Sequence, residues 1–303
     1  MKPTLTLLAR IAINPRFCLG LVLAATLWIF PPTCQAQNAF ELEKDVIYAK
    51  RGEQELKLDV YSPKDESEEL RPAILVVHGG AWRYGNRKQL ASYATALSER
   101  GYVCFAINYR LAPKHKFPAQ IEDCRDAVKF IREQASKYTV DAKRIGAVGY
   151  SAGGHLVSLL ATTGEATEEG NTRVQAVVAG GAPTEFRFMP DGGKGLAYWL
   201  GESGKDNDNY KLASATAFIS KDDCPVFFFN GDSDKVVPLM WTQPLLDGLK
   251  KAGVTAEMYK IEGAGHLQAA GDGKALQAAW DFFDKQLQSE SEVVGKISST
   301  SAP

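Results

Sequence analysis

Ala147–Leu160 reads AVGYSAGGHLVSLL: a short apolar run, a serine set among glycines, then a helical pattern. Gly149 stands two residues before Ser151, and Gly153 and Gly154 follow it. Alone, a Gly-X-Ser-X-Gly match says little; at ~7% glycine, roughly one chain of this length in ten carries one by chance. Context makes it informative. IGAVG has the composition of a buried strand and AGGHLVSLLAT opens a helix, so Ser151 is itself the turn between them. In so tight a corner a side chain at Gly149 or Gly153 would crowd the neighbouring backbone. The serine oxygen is then left exposed at the top of a sheet, over a helix N-terminus. The plainer alternative, a serine N-cap in an ordinary βα turn, needs neither the strained corner nor its glycines.

Outward from this corner the same alternation repeats. LKLDVYS, AILVVHGG, YVCFAINY, IGAVGYS, VQAVVAGG, PVFFFNGD and AEMYKIEG are short apolar runs, the form expected of strands covered on both faces. Between them lie helical stretches. AQIEDCRDAVKFIREQA carries Ile121, Cys124, Val128, Ile131 and Ala135 on one face, with Pro118 ahead of it as a helix start. VVPLMWTQPLLDGLKKAG is expected to be helical up to a C-cap at Gly253. Strand and helix in alternation predict an α/β fold: a mostly parallel central sheet with helices on both faces. Residues 183–222, rich in Gly, Asp and Lys, break the alternation and are expected to form a small insertion over the sheet's C-terminal edge.

The ends differ from this body. Lys2, Arg10 and Arg16 precede the apolar FCLGLVLAATLWIF, and PPTCQA then breaks the helix and ends in small residues. This predicts a secretory signal over residues 1–36, cleaved after Ala36, rather than a retained membrane anchor. The mature protein would be secreted or periplasmic, with no stable membrane insertion. Loss of the segment's three positive charges would take the net charge from -1 to -4. Neither value suggests nucleic acid as a partner. Of five cysteines, Cys104, Cys124 and Cys224 would remain, enough for one disulfide at most and too few to staple a scaffold. Residues 37–288 then form a single domain, and the Ser-rich 289–303 are expected to be disordered.

A serine hydroxyl is a poor nucleophile until a base takes its proton. Four histidines are available: His78, His115, His155 and His266. His266, in the Gly-rich IEGAGHLQ after the last strand, is the one expected at the sheet's C-terminal edge. His155 lies one helical turn past the serine and is expected to serve packing. An imidazole base needs a carboxylate to fix its tautomer. FFFNGDSDKVVP offers Asp232 and Asp234, and spacing does not choose between them. For the developing oxyanion, the N–H of Ala152 is one donor, and Gly80 and Ala81 of HGGAW are the best placed others. No His, Cys or carboxylate cluster has metal-ligand spacing, and no glycine motif carries a Walker lysine, so neither metal nor cofactor is called for.

HGGAW, NYRLAPKHKFPAQIED, GYSAGGHL, NGDSDKVVP and GAGH occur in that order between about residues 45 and 287. In these the chain resembles the α/β-hydrolases of the carboxylesterase/lipase branch, close to hormone-sensitive-lipase-like and feruloyl-esterase-like bacterial enzymes. The resemblance implies the α/β-hydrolase fold, Ser151 as nucleophile and His266 as base. It also aligns the orienting acid with Asp234. Two departures stand out. Asn230 replaces a frequent histidine, which concerns loop anchoring, and HGGAW has alanine in place of a third glycine, as feruloyl-esterase-like members do. In NYRLAP, Arg110 is expected to pair with Asp123 or Asp126.

The expected reaction is therefore two-step acyl transfer on carboxylic esters. FRFMP and LAYWLG are too modest for a long apolar lid, which favours short acyl groups; Trp82, Tyr198 and Trp199 are expected to line the pocket. Acetyl or feruloyl esters on polysaccharide are candidate substrates by analogy. Two other possibilities use the same scaffold: amide cleavage, as in arylformamidase- or peptidase-like relatives, and a binding module without catalysis.

Overall fold

Each of the apolar runs quoted above is a strand of one sheet. The structure is a computed structural model that describes residues 40–65, 67, 69–167, 170–188, 195–202 and 207–288. The signal expected over 1–36 and the tail expected over 289–303 lie outside these residues, as do parts of the insertion. In chain order the strands are β1 (Phe40–Arg51), β2 (Gln54–Pro63), β3 (Arg71–Val77), β4 (Val103–Ile107), β5 (Val140–Tyr150), β6 (Ala166–Thr167), β7 (Gly170–Asn171), β8 (Ala176–Gly180), β9 (Val226–Gly231) and β10 (Ala256–Ile261). The short β6 and β7 form a separate hairpin. The other strands make the sheet, in the spatial order β1-β2-β4-β3-β5-β8-β9-β10. β1 and β2 pair antiparallel, as do β2 and β4, and every other pairing in this sheet is parallel.

The central strands explain their own composition. Successive side chains leave opposite faces of a strand, so a strand covered on both sides has no polar position. Leu75, Val77, Phe105, Ala147, Val177 and Phe228 face one core, shared with α2 (Ala119–Glu133), α3 (Ala152–Thr163) and α6 (Gln243–Lys251). Ile74, Val76, Cys104, Val148, Val178 and Phe229 face the other, covered by α1 (Ala91–Ser98) and α8 (Gly273–Leu287). β1 has no such run. FELEKDVIYAKR buries only Tyr48, because an edge strand packs on one neighbour and is kept polar against edge-to-edge pairing.

Some boundaries differ from expectation. α2 buries Ile121, Cys124, Val128 and Ile131, but it stops at Glu133, leaving Ala135 beyond its end. α6 starts only at Gln243, after a single 3-10 turn at Leu239–Trp241. Gly253, with φ 82°, lies one residue past the cap Ala252, at the position where a left-handed residue ends a helix. Within the insertion the chain forms α4 (Ala197–Leu200) and α5 (Asn209–Leu212). Cys104, Cys124 and Cys224 are all free thiols. No described helix is long and apolar enough to cross a membrane.

Candidate active site

β5 ends at Tyr150 and α3 begins at Ala152, so Ser151 alone makes the corner, with φ 57° and ψ -119°. A non-glycine residue at such φ is strained and must be held by its surroundings. The hold is visible. Ser151 N–H donates to Gly180 O at 2.8 Å, and Ser151 O accepts from His155 N–H at 2.9 Å. A Cβ on Gly153 would stand 2.0 Å from Val77 O, and one on Gly149 would stand 2.4 Å from the Gly153 carbonyl. Helix, corner and two strands thus approach closer than any side chain allows.

His266 opens the short helix α7 (His266–Ala270), which follows β10. Its Nδ1 lies 2.6 Å from Asp234 Oδ2. The other oxygen, Oδ1, accepts the N–H groups of Val236 and Val237, both at 2.8 Å. Asp234 is only 5% exposed, so a carboxylate there needs those three partners. The pairing puts the imidazole proton on Nδ1 and leaves the Nε2 lone pair for another group. Asp232 is exposed and turned elsewhere, accepting from Gly263 N–H at 2.8 Å. Geometry therefore selects Asp234 over Asp232 on its own.

The serine and the imidazole each approach one glycine pair. Gly180 holds the Ser151 N–H, and a Cβ on the adjacent Gly181 would lie 3.1 Å from His266 Cε1. Among the described residues Ser151 Oγ has no hydrogen-bond partner. Tyr150, the residue between Gly149 and Ser151, donates its hydroxyl to His266 O, and its ring lies 5.1 Å from the imidazole. Burial, with the Asp234 charge nearby, raises the Tyr150 pKa and keeps that hydroxyl protonated. Nothing in the sequence suggested this tie; the motif read only the glycines and the serine.

HGGAW forms the facing wall. A Cβ on Gly79 would be 3.3 Å from Ser151 Cβ. Gly80, Ala81 and Trp82 have φ of 106°, 51° and 56°, three left-handed residues in succession. The carbonyls of this turn are occupied. Gly80 O accepts from Arg83 and Tyr84 N–H at 3.0 and 2.8 Å, and Trp82 O from Ala112 N–H at 2.9 Å. Ala81 O accepts from the Tyr198 hydroxyl at 2.7 Å. By contrast, the N–H groups of Gly80, Ala81 and Ala152 have no acceptor among the described residues.

A family model, BD-FAE, matches residues 58–249, the stretch from β2 through α6 that carries HGGAW, Ser151 and Asp234. The chain belongs to the BD-FAE family. Among relatives, it is 27% identical to Esterase LipC of Mycobacterium tuberculosis over 88% of this chain and 71% of that protein. It is 30% identical to the probable carboxylic ester hydrolase LipM of the same organism, over 71% of this chain and 53% of LipM. Of solved structures, a truncated form of a carbohydrate esterase from gut microbiota superposes with a TM-score of 0.75 at 27% identity, over 84% of this chain and 99% of that one. The fold is that of the α/β-hydrolase esterases, and this BD-FAE chain is a carboxylic ester hydrolase.

Two expectations for this BD-FAE chain need correction. Trp199 is 0% exposed and Trp82 5%, so neither presents a face to an open pocket. They stack on each other at 3.6 Å and 3° within the core. Their indole N–H groups explain why: buried donors need acceptors, and Trp199 uses Gln120 Oε1, Trp82 His155 Nδ1, each at 3.0 Å. Tyr198, half-buried, does reach the HGGAW turn. Other residues behave as expected. His155 is buried, and burial lowers its pKa to about 4, so it is neutral. Arg110 pairs with Asp123 and Glu122, while Asp126 pairs with Arg51. Asn230, fully buried, donates to Gly231 O and Val237 O at 3.1 and 3.2 Å and so anchors the Asp234 loop. No group of three His, Cys, Asp or Glu side chains that could hold a metal occurs among the described residues.

Proposed function

We propose that this chain cleaves short-chain acyl esters, free or carried on polysaccharide, through an acyl-enzyme formed on Ser151. The observation that carries the reading is the Asp234–His266 bond of 2.6 Å, formed beside the glycine pair against which Ser151 is seated. In this scheme Ser151 Oγ attacks the ester carbonyl carbon and its proton passes to His266 Nε2. Asp234 keeps the proton on Nδ1 and stabilises the imidazolium. The carbonyl oxygen, now negative, accepts from the N–H groups of Ala152 and of Gly80 or Ala81, whose acceptor positions are otherwise unfilled. Collapse expels the alcohol, which takes the proton from His266. Water, deprotonated by the same imidazole, then releases the acid. The Ser151–His266 hydrogen bond belongs to the substrate-bound state; such bonds often tighten only there.

Support for a polysaccharide-borne ester comes from the likeness to a carbohydrate esterase and from the signal expected at residues 1–36, which would export the enzyme to where polymers are met. Ser151→Ala should abolish p-nitrophenyl acetate hydrolysis while circular dichroism stays unchanged; turnover retained at the wild-type level refutes the assignment. A series of acyl lengths, with acetylated xylan alongside, reads the substrate: rates rising steadily toward long chains would overturn the short-acyl reading. A mature protein whose mass does not begin at Gln37 would overturn the cleavage site.

A further inference from the structure

We propose that His155 is a positioning residue for the oxyanion hole, pinning the two walls that supply its N–H groups to each other and to the insertion. The inference rests on the reading above, in which Ala152 on one wall and Gly80 or Ala81 on the other bind the oxyanion.

The two walls come from different parts of the chain. Ala152 begins α3, and His155 lies one turn further along the same helix. Gly80 and Ala81 belong to the turn after β3, whose last left-handed residue is Trp82. Three left-handed residues in a row, two of them with a Cβ, do not persist by local preference; surrounding contacts must impose them. Trp82 is where those contacts gather. Its indole stacks on Trp199 at 3.6 Å and meets Phe186 edge-on at 5.8 Å. Its single polar atom, Nε1, donates to His155 Nδ1 at 3.0 Å. His155 Nε2–H in turn donates to Ala213 O at 2.8 Å.

This chain of bonds has one direction. A neutral imidazole carries one N–H and one lone pair. Donation to Ala213 fixes the lone pair on Nδ1, where the Trp82 donor arrives. Burial lowers the His155 pKa to about 4 and keeps the ring in this form. Phe186, Trp199 and Ala213 all lie in residues 183–222. The insertion therefore braces the oxyanion turn from behind, through His155, at a side chain that never touches substrate. Any buried imidazole needs both nitrogens satisfied; what marks His155 is that its two partners lie on the oxyanion turn and on the insertion.

The test uses the full-length chain and p-nitrophenyl acetate. His155→Phe keeps a ring of similar size and removes both hydrogen bonds. It is expected to lower kcat about 10- to 100-fold with KM nearly unchanged, somewhat less than the ~10²–10³ lost when an oxyanion donor is deleted outright. Affinity for a trifluoromethyl ketone, which forms a tetrahedral adduct in the same hole, should fall in parallel with kcat/KM. His155→Gln, able to accept from Trp82 and donate to Ala213, should recover most of it. Trp82→Phe removes the indole N–H from the other side and serves if His155→Phe does not fold. Because the two residues act through one bond, His155→Phe in the Trp82→Phe background should cost little more. Wild-type kcat and inhibitor affinity in a folded His155→Phe would overturn the proposal, as would fully additive losses in the double variant. Failure of wild-type enzyme to hydrolyse any ester would instead overturn the proposed function, so the two are distinguishable.

Discussion

The two sides of the site are built on opposite principles. On one side, Asp234 lies on the loop after β9 and His266 opens α7 after β10. One charge-assisted hydrogen bond joins them, the Val236 and Val237 N–H groups hold the carboxylate, and Asn230 ties down the acid loop. On the other, the Gly79–Trp82 turn makes no ion pair and runs through successive left-handed residues, held mostly by packing and carbonyl contacts, with one neutral side-chain bond from Trp82 to His155. Directional bonds fix one side chain relative to another. Strain held by packing fixes backbone N–H groups instead, and an oxyanion needs those ready before charge develops.

The comparison can be broken one side at a time. The largest effect is expected from Asp234→Asn. The amide can no longer hold the Nδ1–H tautomer, so kcat should fall by ~10⁴ with little change in melting temperature; a loss of only a few-fold would mean that the Asp234–His266 bond is structural. Next comes Gly80→Ala. Its φ of 106° is hostile to any Cβ, which would meet Tyr84 O at 2.2 Å. The turn must move, and kcat should drop ~10²–10³ as its donors swing away, together with about 1–3 kcal/mol of stability from forced strain. Normal turnover by the Gly80→Ala variant would show that the oxyanion lies elsewhere. The smallest effect is expected from Tyr150→Phe, which keeps the ring and removes the bond to His266 O. A neutral hydrogen bond nets about 0.5–1.5 kcal/mol, so the rate should fall only several-fold, visible in kcat rather than in KM. A loss as large as that of Asp234→Asn would place the tyrosine in the chemistry itself.

Strands buried on both faces were legible because burial leaves them no polar position, and the Ser151 corner was legible because its glycines answer to clashes within a few residues. β1 was missed for the converse reason: an edge strand with a polar face has the composition of a loop. The tryptophans were misjudged differently. Large aromatic residues suit a core as well as a pocket, and only the neighbours of Trp82 and Trp199 show that both indoles are spent on each other, on His155 and on Gln120.

From its residues alone the chain determined its α/β alternation and the strained serine after β5. It also determined the order of nucleophile Ser151, an acid at Asp232 or Asp234, and base His266, since periodicity, steric demand and chain order are all local or linear properties. Which aspartate meets the imidazole, what holds the HGGAW turn open, and how Tyr150 reaches across to His266 were decided by the tertiary structure. Those depend on loops distant in the chain arriving at one sheet edge (Tyr150 and His266 are separated by 116 residues), and no short stretch encodes where a distant loop will arrive.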